Sequence, residues 1–319
     1  MRAIAILNQK GGVGKTTTSV NLAAAFVKRR KRVLLIDLDP QSHATLHVGL
    51  DLAPGEPSVF DVLVNSTPVA EVARNVSDGL TILPASSDLI SAELELAERE
   101  NRERVLANAL LPYYDGFDFA VLDCAPSLGL LTVNALTAAS EVIIPLQPHF
   151  LALQGLGRLL ETVTTVRSSV NPQLRVSGVV LSMFERGTKL AQEVREDVLR
   201  FFGEAAPDDA WYGARLFETV IRRNIKLAEC PSFGKTIFDY EPQSHGAADY
   251  AALAKEIVQA AAPAPPPGAS EPRSRPVDEV GLSPTDPDPH LPLPEGIITA
   301  NPAAAGIEGS FNPAGGAKP

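Results

Sequence analysis

Apolar residues fall along this chain in two alternating rhythms. Short unbroken runs at 3–7, 32–37, 80–84, 117–123, 142–146 and 176–183 read as strands buried on both faces, the pattern of a parallel sheet. Between them, 19–27, 58–64, 86–111, 150–170, 188–202 and 247–262 carry apolar residues at helical spacing. The spacing predicts one long helix over 86–111, a loop over 41–57, and a helix ending near Val170, where Asn171-Pro172 disfavours helical geometry. Strand and helix in alternation predict a doubly wound α/β fold with a mainly parallel sheet.

The periodicity stops near residue 262. Residues 263–319 hold 14 of the 27 prolines and little apolar pattern, which predicts a disordered Pro/Ala-rich tail behind a single folded domain of residues 1–262. The tail carries three basic and seven acidic residues, leaving 25 and 31 in the body, so the domain remains acidic by six. Bulk charge therefore excludes a constitutive polyanion binder, and any nucleic-acid contact must come from a local basic cluster. Two cysteines, Cys124 and Cys230, give no disulfide framework. With no leader pattern and no apolar run near the roughly 20 residues that span a bilayer, the expected location is cytoplasmic.

The chemistry concentrates in residues 9–17, Gln-Lys-Gly-Gly-Val-Gly-Lys-Thr-Thr, between the first strand and the first helix. Glycines there let backbone N–H groups converge on phosphate oxygens, and the helix end adds positive potential. The predicted nucleotide loop comprises Lys10, Gly11, Gly12, Val13, Gly14, Lys15, Thr16 and Thr17. Lys15 supplies a mobile charge and Thr16 a hydroxyl for Mg²⁺. Gln9 stands where the ordinary P-loop has its first glycine, and Lys10 adds a second lysine that would crowd Lys15 on one nucleotide. One use for it is the phosphates of a nucleotide held by a second subunit.

Two strand ends carry acids. The run 32–37 leads into Asp37-Leu38-Asp39-Pro40-Gln41, and 117–123 ends in Asp123, the Walker B arrangement, where a carboxylate can hold a water of the Mg²⁺ shell.

With its two lysines the loop is a deviant Walker A motif, and the chain resembles the ParA/Soj partition ATPases, in the wider P-loop NTPase family that includes MinD and the nitrogenase iron protein. The likeness covers residues 1–262. It extends to residues 124–136, where Ala125 replaces the family's usual proline, and to 216–234, where Arg223, Asn224 and Lys226 match basic and polar positions and Arg222 replaces a common proline.

The resemblance implies Mg²⁺-dependent hydrolysis of ATP. Asp39 orients the attacking water, Asp37 lies nearer the metal with Thr16 and Asp123, and Met183 and Pro231 contact the base. Lys10 acts across an ATP-dependent homodimer.

The same resemblance implies non-specific DNA binding through Arg222, Arg223 and Lys226, nucleoid association, and stimulation by a ParB-like protein with a basic, flexible N-terminal segment, in chromosome or plasmid segregation. Lys189, Arg195 and Arg200 are weaker candidates for the same patch. A solvated basic edge is the plain alternative for these cations. The charged face of 86–111 reads either as solvated surface or as a dimer or partner surface.

Three rival classes are weighed by their requirements. A MinD-like membrane switch needs a basic amphipathic terminal helix, whereas this terminus is Pro, Ala and Gly with a single lysine, Lys318. An iron-sulfur protein needs cysteines at cluster positions that Cys124 and Cys230 do not match. A relative that positions a protein cargo over the nucleoid would share every residue named above.

Overall fold

The computed structural model describes residues 1–149, 152–185 and 187–260. The predicted tail lies outside the described residues, as do Ala261 and Ala262. In chain order the strands are β1 (Arg2–Ile6), β2 (Val33–Leu38), β3 (Arg74–Ser77), β4 (Leu80–Leu83), β5 (Phe119–Cys124), β6 (Glu141–Leu146), β7 (Arg175–Leu181) and β8 (Arg215–Leu216). The first six helices are α1 (Lys15–Lys28), α2 (His43–His47), α3 (Val59–Val64), α4 (Val69–Val72), α5 (Leu89–Ala97) and α6 (Val105–Leu110). After them come α7 (Leu130–Ala138), α8 (Ala152–Ser169), α9 (Lys189–Gly203), α10 (Ile225–Glu229), α11 (Ile237–Tyr240) and α12 (His245–Gln259).

The strands form one sheet in the order β3-β4-β2-β5-β1-β6-β7-β8, parallel throughout except for the β3–β4 pair. Every residue of β2, β5, β6 and β7 is buried, as their unbroken apolar runs require. Helices cover both faces. One face carries α3, α5, α6, α7 and α8 on a core that includes Leu34, Leu122 and Ile144; the other carries α1 and α12 on a core that includes Ile4, Phe26 and Tyr250.

The chain turns to opposite sides of β1, so β5 and β6 flank it and the crevice at the strands' C-terminal ends is the topological switch point. Register places Ile6 opposite Asp123, and Asp123 opposite Asp37. The two strand-end acids and the loop after β1 thus meet at one edge of the sheet. At the other edge Arg2 pairs with buried Glu141 at 2.7 and 2.9 Å and donates to the Ile257 carbonyl at 3.0 Å, closing α12 onto β1 and β6.

Two expectations are corrected. The stretch 86–111 is not one helix: α5 and α6 are separated by Asn101 in the left-handed region, φ 54°, and a 3₁₀ turn at Arg102–Arg104. Asparagine tolerates that conformation better than most residues. Asn134 of α7 repairs the break by accepting from the Leu106 amide at 3.1 Å and donating to the Arg102 carbonyl at 2.8 Å. The loop expected over 41–57 contains α2, whose five residues are too short to show a period. Trp211, in a loop without an assigned role, stacks on Phe201 at 5.8 Å, and the preceding Ala210 carbonyl accepts from the Val176 amide of β7.

Candidate functional site

The loop after β1 is fastened at three points. Asn8 donates to the Pro145 carbonyl at 2.7 Å and accepts from the Lys10 amide at 3.0 Å, tying the loop's entry to the end of β6. Ser182, just beyond β7, donates to the Val13 carbonyl at 2.8 Å. The Thr18 amide closes the first turn of α1 on the Gly14 carbonyl at 2.9 Å.

Gly12 and Gly14 sit at φ 73° and 87°, conformations that L side chains resist, and a Cβ on Gly11, Gly12 or Gly14 would meet no atom of the described residues beyond its chain neighbours within 4 Å. The loop is an open cradle. Gly14 caps α1 without a side chain, and no acid stands in the helix's first turn, so its N–H groups remain available to an anion.

Lys15 is buried at the base of the cradle, its Nζ donating to the Lys10 carbonyl at 3.2 Å. Burial lowers its pKa, opposed by the charges of Asp123 and Asp39. The Lys10 side chain, by contrast, is exposed, while both its backbone groups are held by Asn8 and Lys15.

Asp123 is fully buried. Ser19 Oγ lies 2.8 Å from its Oδ1, and its Oδ2 has no hydrogen-bond donor among the described residues. Burial, then the neighbouring Asp37, raises its pKa, and the Ser19 and Thr16 hydroxyls pull it back. An orphaned carboxylate oxygen close to a phosphate cradle fits a hydrated divalent cation, so Thr16 and Asp123 have the chemistry to hold Mg²⁺ and a water of its shell.

Asp37 is placed differently. Its Oδ2 accepts from the Thr45 amide at 2.8 Å and hydroxyl at 2.7 Å, and its Oδ1 from the Asp39 amide at 3.2 Å. Burial raises its pKa and the Thr45 donors lower it. With both oxygens engaged, Asp37 holds the chain after β2 in shape. Asp39, nearly buried, accepts from the Gln41 amide at 3.0 Å. Thr45 also accepts from the Ala85 amide at 2.9 Å, joining α2 to the end of β4.

α2 reaches a second segment. His47 is buried with Nε2 at 3.4 Å from Cys230 Sγ, and Gly49 packs on Gly234 so closely that a Cβ on Gly234 would lie 2.7 Å from the Gly49 Cα. Both glycines have positive φ. The turn bearing Pro231, Cys230–Phe233, is therefore joined to α2, while Met183, at φ 50° and partly exposed, follows directly after Ser182 at the cradle.

Burial pushes the His47 imidazole down to about 4, against the Lys235 carbonyl, which favours the protonated form. A histidine with a depressed pKa lets the unfolded chain bind the extra proton, so this contribution to stability falls as pH drops from about 6.5 through 4. The shift corresponds to about 3 kcal/mol. His47→Gln is expected to remove about 2 kcal/mol of the stability lost between pH 7 and pH 4.5, read from urea unfolding of both proteins at both pH values. Equal losses would show that His47 titrates normally in the fold.

The three predicted DNA contacts are adjacent but differently committed. Arg222 makes a bidentate pair with Asp249 of α12, Nη2 to Oδ1 at 2.6 Å and Nε to Oδ2 at 3.0 Å, and its amide donates to the same carboxylate. Arg223 is 75% exposed and meets Glu185 at 3.0 Å. Lys226 lies 2.8 Å from Glu229 and over the Tyr240 ring. The Phe184 amide donates to the Ile221 carbonyl and the Arg223 amide to the Phe184 carbonyl, so the segment lies beside the loop leading to α9 and Lys189. On α9, Arg195 is partly exposed and Arg200 pairs with Asp197.

Sequence reasoning missed Ser19, Thr45 and His47. The only local signal was Ser19's place one helical turn after Lys15.

A family model described as an AAA domain matches residues 1–176. The sporulation initiation inhibitor protein Soj of Bacillus subtilis strain 168 is 44% identical over 258 residues, 81% of this chain and 98% of that protein. The chromosome partitioning protein ParA of Myxococcus xanthus is 41% identical over 266 residues, 83% of this chain and 90% of its own. Among solved structures, a cobyrinic acid a,c-diamide synthase from Mycobacterium smegmatis with bound ADP and magnesium is 34% identical. Its TM-score is 0.69, over 81% of this chain and 94% of that one. McdA from Cyanothece, at 20% identity and TM-score 0.70 over 81% of this chain and 96% of its own, shares the fold.

Proposed function

This chain belongs to the Soj/ParA family of chromosome-partitioning ATPases, and from that premise we propose that ATP closes two copies into a dimer that grips DNA. It is an ATPase that uses ATP and Mg²⁺. The observation that carries the dimer reading is Lys10: an exposed amine on a backbone fixed from both sides, next to a cradle whose own buried lysine is Lys15. A rigid base and a free tip suit a group that completes a neighbour's phosphate site.

In this reading Lys15 and the α1 amides hold the phosphates, and Thr16 and Asp123 hold the metal. Asp39 orients the water, while Asp37 keeps Asp39 and α2 in place. When bound, Mg²⁺ neutralises charge on the phosphate oxygens. Catalysis of this kind is positioning and charge neutralisation, so a change at Asp39 passes directly into the chain that leads to α2. From α2 the His47–Cys230 and Gly49–Gly234 contacts lead to the segment bearing Arg223 and Lys226. Nucleotide state and DNA face are thereby in mechanical contact.

The DNA contribution is assigned chiefly to Arg223 and Lys226. Arg222 serves the fold through Asp249. A monomer with about two phosphate contacts binds weakly, and pairing two copies doubles the number and links them. A ParB-like protein and DNA together accelerate turnover, and the protein acts on the nucleoid in chromosome or plasmid segregation.

The test is DNA co-sedimentation with ATP, ADP and no nucleotide at two salt concentrations, beside light scattering. ATP alone is expected to give both dimer and salt-sensitive DNA binding; a monomer with ATP bound, or DNA binding indifferent to nucleotide, overturns the reading. Arg223→Glu is expected to leave the ATP-dependent dimer intact and to lower the slope of log affinity against log salt by about two, one phosphate contact per subunit. An unchanged slope moves the DNA face elsewhere.

A further inference from the structure

Ser19 is the fourth residue after Lys15, so it lies one turn along α1 on the same side of the helix as the cradle's buried lysine. It is wholly buried, with its Oγ 2.8 Å from Asp123 Oδ1 and 3.1 Å from the Lys15 carbonyl. A hydroxyl has one proton to give. The carboxylate is the nearer and stronger acceptor, and within a helix that carbonyl already takes the bond from the amide four residues on.

The helix itself gives little reason for a hydroxyl here. Val20, Leu22 and Ala23 beside it in α1 are buried and apolar, and alanine is the better helix former. Nor is the hydroxyl part of a full set of donors that would simply relieve a buried acid. Such a set exists at Asp37, where the Thr45 amide and hydroxyl and the Asp39 amide engage both oxygens. Asp123 is served on Oδ1, and its Oδ2 has no hydrogen-bond donor among the described residues. A carboxylate gripped by one oxygen has its rotation set, which gives the other a fixed direction.

We propose that Ser19 is a positioning residue for magnesium: by holding Asp123 Oδ1 it sets the turn of the carboxylate and keeps Oδ2 open to the cation's shell. The proposal rests on the assignment of Asp123 to the metal made above.

The bond also crosses from α1 to β5. Lys15 and the first amides of α1 belong to the phosphate cradle, whereas Asp123 belongs to the sheet, and Ser19 ties the two together. Of the two hydroxyls that bear on Asp123, that of Thr16 is given to the metal in the proposed function. Ser19 is the one left to orient the acid.

The test counts bound metal directly, with Mn²⁺ as the probe, from the loss of its free-ion electron paramagnetic resonance signal on the full chain saturated with ADP. Ser19→Ala is expected to weaken Mn²⁺ binding about tenfold and to leave ADP affinity in EDTA unchanged. Ser19→Thr keeps the hydroxyl and is expected to bind Mn²⁺ more tightly than the alanine variant. In an Asp123→Asn background, where binding is already weak, the alanine change is expected to have no further effect.

Wild-type Mn²⁺ affinity in Ser19→Ala overturns the proposal. So does an equal loss of ADP affinity in EDTA, which makes the hydroxyl a support of the cradle alone. Both results leave the metal at Asp123. Mn²⁺ binding by Asp123→Asn as tight as wild type instead defeats the assignment of Asp123 itself, and the role of Ser19 falls with it.

Discussion

Lys15→Ala is expected to lower ATP turnover by roughly 10²- to 10³-fold, the loss typical of removing one positioned donor from a developing charge. The amine sits buried beneath the loop, its pKa lowered by burial against the opposing charges of Asp123 and Asp39. Alanine leaves those two carboxylates facing the phosphates without a counter-charge, so binding should suffer along with turnover. Equilibrium binding of a fluorescent ATP analogue and steady-state phosphate release check the two separately. The backbone of the cradle depends on Gly12, Gly14, Asn8 and Ser182 rather than on the lysine, so the variant should melt like the parent. Turnover within tenfold of wild type would remove Lys15 from the phosphate site.

The parts of the molecule legible in the sequence are those whose physics is local. Buried parallel strands announce themselves as unbroken apolar runs, and the sheet lies where those runs fall. The cradle was legible because its glycines and lysines are contiguous and lie between a strand and a helix, so a few residues contain the backbone conformation and the charge. β3 and β8, of four and two residues, are too short for any period to show. The break in 86–111 hinges on the backbone of Asn101 and on a repair by Asn134, over thirty residues away, and apolar spacing carries no trace of either.

The same limit governs the site. The resemblance made Arg222 a DNA contact beside Arg223, and its partner Asp249 is brought to it only by the docking of α12. The resemblance implied that Asp37 lies near the metal, and the register places it opposite Asp123. What no spacing could reveal is that Thr45, eight residues on, folds back to occupy its Oδ2 with two donors. Of the strand-end pair, Asp123 alone keeps a buried oxygen without a donor. The two strand-end acids thus differ in their protein partners, Asp37 with both oxygens engaged and Asp123 with one left open.

Asp39→Ala is expected to separate closure from hydrolysis. Asp39 lies past the end of β2 with its Oδ1 held by the Gln41 amide, and its own amide bonds to Asp37. Alanine keeps that amide, so the Asp37–Thr45 arrangement and the contacts of α2 with the Cys230–Phe233 turn survive. What is lost is the carboxylate that the proposed function uses to orient water, a contribution on the order of 10²- to 10⁴-fold in rate for a positioned acid-base group. If hydrolysis is the step that releases the dimer from DNA, the lifetime of the DNA complex should lengthen by the same factor as turnover falls. Single-turnover phosphate release and dissociation from a DNA-coated surface, both started with ATP, measure the two factors independently. Slow hydrolysis with fast DNA release would place the exit step before chemistry. A variant that stays monomeric with ATP would place Asp39 in the closure itself and take the water from it.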